Sequence, residues 1–135
     1  MQTTDTLHTY KLCAGSNTEE AQAILMRAIN ALREEYGDVK QTAIQKTKAI
    51  GTEACLYYEN VGIGLESTLS PSDLKIRLKK MEYMHGRRKR DYPIVALDID
   101  IIAVDGVIVH PDYNQRDYVK ELMEELGKVE NKKAN

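Results

Sequence analysis

Asp98 and Asp100 are the residues whose type and spacing point most directly to chemistry. They lie in residues 94–104 (IVALDIDIIAV), the most apolar run of the chain. Side chains two positions apart on a β-strand share a face, with Cα atoms about 6.5–7 Å apart. Two carboxylates in an apolar strand are costly unless a cation compensates their charge, and oxygen ligands suit Mg²⁺. The pair predicts a magnesium site, and a solvent-facing strand surface is the alternative.

Positive charge is concentrated in residues 75–90. This segment holds eight of the 19 lysines and arginines with Glu82 as its only acid, whereas the chain has a net charge of −2. The overall charge argues against a general binder of nucleic acids or membrane surfaces. The local excess of cations indicates an anion site, most simply for phosphate, although a solvated helix face and basic loop have the same composition. Beside two carboxylates, the cations favour a metal-bound polyphosphate.

Hydrophobic periodicity and turn residues predict the elements that position these groups. Strands are expected at residues 8–14, 39–47, 56–68, 94–104 and 107–109. Helices are expected at residues 18–36, 70–86 and 114–128. The order β-α-β-β-α-β-β-α favours an α+β fold, a ferredoxin-like sandwich with helices on one face of a mainly antiparallel sheet. We expect a single domain over residues 1–135, with a frayed polar tail at 129–135.

Several local signals set the expected boundaries. Asn17 or Thr18 should cap the first helix, and Ser70 followed by Pro71 is a strong start for the second. Asp105-Gly106 is a hairpin signal. The glycines at 62 and 64 indicate a place where something approaches the backbone of a strand closely. In the apolar run, alternation should place the following side chains on one face: Leu97, Ile99, Ile101 and Ala103.

Composition indicates an ordinary soluble protein. Of its 135 residues, 42% are hydrophobic and 30% charged, and the mean hydropathy is −0.48. No run approaches the roughly 20 apolar residues that a membrane span needs, and the polar N-terminus lacks a signal-peptide pattern. Cys13 and Cys55 fit no disulfide framework or zinc spacing, and we expect both to be small buried residues in a reducing compartment. We therefore expect a cytoplasmic protein.

Six short motifs occur in an order that resembles a known family. They are Gly15-Ser16-Asn17, Thr47 to Gly51, Tyr58-Glu59-Asn60, Glu82 with Gly86-Arg87, Leu97-Asp98-Ile99-Asp100-Ile101, and His110 with Arg116, Tyr118 and Val119. They lie in register across about residues 9–125 and resemble the 6-hydroxymethyl-7,8-dihydropterin pyrophosphokinases of folate biosynthesis. The resemblance implies a Mg²⁺-dependent diphosphokinase that transfers pyrophosphate from ATP to the pterin.

The resemblance also implies roles for particular residues. Asp98 and Asp100 would hold two Mg²⁺ ions with ATP. The other expected ATP-binding residues are Glu82, Arg87, His110 and Arg116. The residues expected to reach the transferring phosphates are Arg87, Arg88 and Lys89. The expected pterin-binding residues are Thr47, Ile50, Tyr58, Asn60, Tyr92 and Tyr118, with the last two stacking on opposite faces of the ring.

The sequence departs from the family pattern near the metal strand. Val95 stands where the family has an arginine, the preceding loop is about two residues shorter, and we expect the family's C-terminal segment to be absent. Either Arg88, Lys89 and Arg90 compensate and the pyrophosphokinase is active, or the chain is a divergent relative of reduced or altered activity. A hypothesis of another class also stays open: a non-catalytic nucleotide- or partner-binding relative.

Overall fold

An antiparallel sheet forms the centre of the protein. The computed structural model describes residues 5–48 and 57–134, in which the sheet has six strands in the order β2-β4-β1-β5-β6, with β3 following β2 along the outer edge of β4. The strands are β1 (His8–Ser16), β2 (Lys40–Gln41), β3 (Gln45–Lys48), β4 (Tyr57–Ser67), β5 (Asp98–Val104) and β6 (Val107–Ile108). The helices are α1 (Ala21–Tyr36), α2 (Pro71–Met84), α3 (Asp112–Gln115) and α4 (Asp117–Ala134), and a 3₁₀ turn spans Lys89–Asp91. The expected α+β class with an antiparallel sheet is confirmed.

The helices lie on both faces of the sheet, which differs from the expected one-sided sandwich. Leu12 and Ala14 of β1 point into a large apolar cluster with residues of α1 and α2, whereas Cys13 points to the opposite face and packs with Leu122 of α4. Each face thus has its own core. Among the described residues, no helix is both long and apolar enough to cross a bilayer.

A register shift in β5 corrects the expected alternation of the apolar run. Leu12 lies opposite Ile101, but Lys11, the residue before Leu12 in β1, lies opposite Ala103. Ile102 is therefore an extra residue on β5. Ile102 packs on the α4 face, and Val104 rather than Ala103 returns to the larger cluster. A bulge reverses the face of every residue beyond it, and its position depends on the partner strand.

Other boundaries also differ from the expectation. The expected strand over 39–47 is split around Thr42, whose hydroxyl oxygen accepts a hydrogen bond from the Gly62 backbone at 2.9 Å. A side chain at Gly62 would lie 3.1 Å from Thr42 Cγ2 and 3.2 Å from the backbone oxygen of Leu122, so both Thr42 and α4 approach this strand closely, as the glycine predicts. The expected last helix is divided at Arg116, which is extended, and α4 continues to Ala134.

The start of α2 is as expected from its local sequence. Ser70 is the N-cap, and its side chain accepts a hydrogen bond from the Asp73 backbone at 3.2 Å. Leu74 and Leu78 are buried beneath the helix, which ends at Met84 before Gly86 turns with a φ of +101°. A serine cap, a proline in the first turn and an apolar stripe are local features, so the sequence alone predicts this helix.

Asn17 was expected to cap α1 but does not. Its side chain instead connects β1 to the segment before β5. Its side chain donates to the Pro93 carbonyl at 2.7 Å and accepts from the Val95 backbone at 2.6 Å. Its own backbone N–H donates to the Val95 carbonyl at 3.1 Å. The residue before α1 is Glu20, which makes no side-chain capping bond. Asn17 therefore holds the approach to the acidic strand.

Asn17→Ala should lower the free energy of unfolding by about 2 kcal/mol, because it removes both side-chain bonds and leaves the half-buried Pro93 carbonyl and the buried Val95 amide without these partners. Urea denaturation followed by circular dichroism measures the change. Asn30→Ala, on the exposed face of α1, is the matched control and should shift the value by less than about 0.5 kcal/mol. Equal effects of the two substitutions would contradict this role.

Candidate active site

A large cavity lies between α2 and the edge of β5 that β6 leaves uncovered; we call it the α2 cavity. Its volume is about 750 Å³. Five sequence-predicted residues from three segments line it together: Glu82, Arg87, Arg88, Lys89 and His110. Both aspartates of β5, Asp98 and Asp100, form the wall between α2 and the hairpin end. The structure thus collects the predicted cations and carboxylates in one place.

Arg87 is held against the acidic strand. Its Nη1 donates to Asp98 Oδ1 at 2.7 Å and to the Leu97 carbonyl at 3.2 Å, and lies 3.4 Å from Glu82 Oε1. Burial opposes the charge of this guanidinium, but the hydrogen bond and charge of Asp98 outweigh it and raise the pKa of Arg87. Arg87 is therefore a fixed cation beside the carboxylate pair.

Glu82 connects α2 to β5. It is only 8% exposed, and its Oε2 accepts a hydrogen bond from the Ile99 backbone at 2.8 Å. Burial raises the pKa of Glu82, with a smaller contribution from the charge of Asp98, while the Ile99 bond and the charge of Arg87 act in the opposite direction. The contact sets the distance between the basic end of α2 and the acidic strand.

Asp98 and Asp100 sit where two cavities meet, since both residues line the α2 cavity and also a second, smaller one. Burial raises the pKa of Asp100 to about 8, helped by the charge and hydrogen bond of Asp98 and by the charges of Glu82 and Asp112. A divalent cation would favour the ionised form of both carboxylates. Two neighbouring oxygen donors of this kind fit Mg²⁺.

His110 faces Asp100 from the loop after β6. The Asp112 backbone donates to His110 Nδ1 at 3.1 Å, so in the neutral ring the proton lies on Nε2, which is 3.9 Å from Asp100 Oδ1. Asp112 was not among the predicted site residues, although donor atoms of Asp100, His110 and Asp112 lie within 4.8 Å of one another. An acid two residues after a histidine, at the start of a helix, is the signal that could have identified it.

The second cavity, which we call the β4 cavity, has a volume of about 200 Å³. Five predicted residues from three parts of the chain line it: Thr47, Tyr58, Asn60, Arg116 and Tyr118. Asn60 Nδ2 donates to Thr47 Oγ1 at 2.7 Å.

Three other predicted site residues do not lie where they were expected or are not described. Ile50 lies outside the described residues. Tyr92 is 72% exposed and lines neither cavity, and Arg116, expected with His110 at the ATP phosphates, faces the β4 cavity instead.

Gly15 opens the floor of the β4 cavity, a role that no local pattern in the sequence indicates. It lies opposite Asn60 on one side and Asp98 on the other, so these two residues are two strand spacings, or about 10 Å, apart. A side chain at Gly15 would come within 2.7 Å of Asn60 Oδ1. Cys13, next along this face, is buried, and its burial raises the pKa of the thiol; Cys55 is outside the described residues.

Tyr118 covers the β4 cavity from the first turn of α4. The ring is half-buried, and burial raises the pKa of the hydroxyl to about 12, with contributions from the charges of Cys13 and Asp112 that exceed the lowering by Arg116. The extended backbone at Arg116 separates α3 from α4 and lets residues 116 and 118 face the same cavity. The cavity thus combines an amide, a hydroxyl and an aromatic ring.

Comparisons with known proteins identify the family of the chain. Residues 11–128 match the family model described as 7,8-dihydro-6-hydroxymethylpterin-pyrophosphokinase. The 2-amino-4-hydroxy-6-hydroxymethyldihydropteridine pyrophosphokinase of Aquifex aeolicus (strain VF5) is 27% identical over 119 residues, covering 82% of this chain and 74% of its own. The crystal structure of the stable protein CutA1 from the psychrotrophic bacterium Shewanella sp. SIB1 superposes with a TM-score of 0.43 at 10% identity, covering 84% of this chain and 94% of that one. On the family match, which spans most of the sequence, the chain belongs to the 7,8-dihydro-6-hydroxymethylpterin-pyrophosphokinase family.

Proposed function

We propose that this protein transfers a pyrophosphoryl group from ATP to the hydroxymethyl oxygen of 6-hydroxymethyl-7,8-dihydropterin. One observation carries the proposal: Asp98 and Asp100 line two cavities at once, a larger one with a cationic wall and a smaller one with an amide and aromatic wall. A reaction that joins two substrates needs such adjoining sites, because holding both reactants side by side supplies much of the rate enhancement.

The α2 cavity suits the triphosphate. Arg87 and Lys89 present positive charge to it, and His110 presents a ring whose Nε2 can donate to a phosphate oxygen. Phosphoryl transfer depends mainly on positioning and on stabilising charge in the transition state, which cations of this kind do. Mg²⁺ held by Asp98 and Asp100 would supply further charge neutralisation and orient the triphosphate.

The β4 cavity suits the pterin. A pterin is flat and has donors and acceptors along its edge, so an aromatic ring and a fixed amide give both affinity and orientation. Asn60 is fixed by its bond to Thr47, and Tyr118 supplies the ring. In the reaction, the bond from the pterin oxygen to the β-phosphorus forms and the bond linking the α- and β-phosphates breaks. AMP leaves, and the hydroxyl proton passes to water.

The direct test is incubation with ATP, Mg²⁺ and hydroxymethyldihydropterin, followed by phosphorus NMR. We expect pterin diphosphate and AMP in equal amounts. ADP as the nucleotide product would mean transfer of a single phosphate and would refute the proposed reaction. Tight ATP binding without pterin-dependent AMP would instead identify a non-catalytic nucleotide-binding relative.

Tyr118→Ala should weaken pterin binding about tenfold and change ATP binding by less than about twofold, because stacking is worth about 0.5–1.5 kcal/mol beyond the buried area and the ring does not line the α2 cavity. Calorimetric titration with each ligand measures both affinities. Tyr118→Phe keeps the ring and should bind pterin like the wild type. An equal loss of affinity for pterin and for ATP would mean that the pterin binds outside the β4 cavity.

A further inference from the structure

The loop after β6 places one residue in each of the two cavities. His110 lines the α2 cavity and not the β4 cavity, whereas Asp112 lines the β4 cavity and not the α2 cavity. Asp100 lines both, and donor atoms of these three residues lie within 4.8 Å of one another. Beyond the larger effect of burial, the charge of Asp112 helps to raise the pKa of the Tyr118 hydroxyl, so the carboxylate acts in the same cavity as this ring.

Asp112 is held in place by its backbone, which leaves its carboxylate available. Its N–H donates to His110 Nδ1 at 3.1 Å, and its carbonyl accepts from the Arg116 backbone at 2.8 Å. Within residues 5–48 and 57–134, the carboxylate has one ion-pair neighbour, the His110 ring, whose Nδ1 lies 3.8 Å away. In the neutral ring that nitrogen already accepts the Asp112 N–H, so it offers the carboxylate no proton. The side chain of Asp112 can therefore accept a hydrogen bond from a ligand.

The two ends of the β4 cavity differ in the same way as the two ends of the proposed substrate. Asn60 and Asp98 lie two strand spacings, or about 10 Å, apart. With the edge of the pterin ring on Asn60, the hydroxymethyl group extends toward the acidic strand, where its oxygen must meet the β-phosphorus. Asp98 and Asp100 are the residues expected to hold Mg²⁺ there, so Asp112 is the neighbouring carboxylate that remains for the hydroxyl.

We propose that Asp112 accepts a hydrogen bond from the hydroxymethyl O–H of the pterin and so orients the oxygen that attacks ATP. The inference rests on the proposed function for the identity of the ligand, and it assigns recognition of the reacting hydroxyl to one residue. An ionised carboxylate only accepts hydrogen bonds, so it takes the hydroxyl hydrogen and leaves an oxygen lone pair free to face the β-phosphorus. Such a site also discriminates against an analogue without the hydroxyl, because the acceptor then lacks that partner.

A double-mutant cycle between the residue and the ligand hydroxyl tests the inference. Calorimetry with Mg²⁺ and α,β-methylene-ATP, in which carbon replaces the oxygen of the linkage to be broken, measures the binding of 6-hydroxymethyl-7,8-dihydropterin and of 6-methyl-7,8-dihydropterin. We expect Asp112→Ala to bind the hydroxymethyl compound about tenfold more weakly, the lower range for a hydrogen bond to a charged group, and the methyl compound within about twofold of wild type. Asp112→Asn keeps one acceptor oxygen and should give an intermediate loss.

Matched controls separate this contact from general charge and from metal binding. Asp117→Ala removes an exposed acid of the neighbouring helix that lines neither cavity, and it should leave both pterin affinities unchanged. Asp112→Ala should also keep the wild-type Mg²⁺ dependence of α,β-methylene-ATP binding. A loss of that dependence as large as in Asp100→Asn would make Asp112 a metal ligand and overturn the inference, as would equal losses for the two pterins.

The outcome is separable from that of the proposed reaction. A wild type that binds the pterin but forms no AMP refutes the reaction, and the binding cycle still decides the role of Asp112. A wild type that forms AMP, while Asp112→Ala binds the hydroxymethyl compound as tightly as wild type does, refutes the inference alone. A wild type that binds neither pterin refutes both.

Discussion

Asp98→Asn and Asp100→Asn should each lower the rate of pterin-dependent AMP formation by about 10²–10³-fold. The expected size is that of removing one strong electrostatic contributor from an active site. Each amide keeps the shape of the side chain but loses the charge that would hold Mg²⁺ between the two cavities. The measurement is the steady-state rate over a range of Mg²⁺ concentrations, with the Mg²⁺ dependence of ATP binding recorded in parallel.

Folding should survive both changes. Each aspartate is only partly buried, and removing one of two close like charges does not oppose folding. Asp117→Asn, an exposed acid of α4 that lines neither cavity, is the matched control and should retain wild-type turnover. If either variant of the pair kept wild-type Mg²⁺-dependent ATP affinity and turnover, the metal assignment would be wrong.

Arg87→Ala should reduce turnover by about 10³-fold, the lower range for an arginine that stabilises phosphoryl transfer. Arg87 is the cation closest to the carboxylate pair, and its contacts with the Leu97 carbonyl and Asp98 fix it at the meeting point of the cavities. Arg87→Lys should recover only part of the loss, because an ammonium cannot reproduce the planar fork. Single-turnover kinetics at saturating ATP separates the chemical step from nucleotide binding.

Arg90→Ala is the control for Arg87→Ala, since Arg90 is exposed and lines neither cavity. Circular dichroism should show a folded protein in both cases. A modest loss of stability is expected for Arg87→Ala alone, because Glu82 and Asp98 lose their shared cation. If Arg87→Ala and Arg90→Ala had equal turnover, Arg87 would have no role in the reaction.

Structural features that depend only on neighbouring residues could be predicted from the sequence. The cap at Ser70, the helical periodicity of α1 and the alternation that places Asp98 and Asp100 on one face all depend on contacts within a few residues. Periodicity and capping are local properties of the backbone, so they survive in an isolated sequence. The roles expected for Glu82 and His110 came from the family resemblance, and their convergence with Asp98 and Asp100 in the α2 cavity depends on the fold.

Features that depend on a partner distant in sequence were decided only by the tertiary structure. Asn17 is of a type that caps helices, but its side chain instead bonds to the Pro93 carbonyl and the Val95 amide, which are distant in sequence. The bulge at Ile102 depends on the pairing of β5 with β1. The position of α4 on the face of the sheet opposite α1 and α2 depends on the apolar residues that this face leaves to be covered. The sequence by itself determined the chemistry of the acidic pair and of the basic segment. Only the fold could place Gly15 between Asn60 and Asp98, because a strand's neighbours are chosen by long-range pairing and burial that no local pattern records.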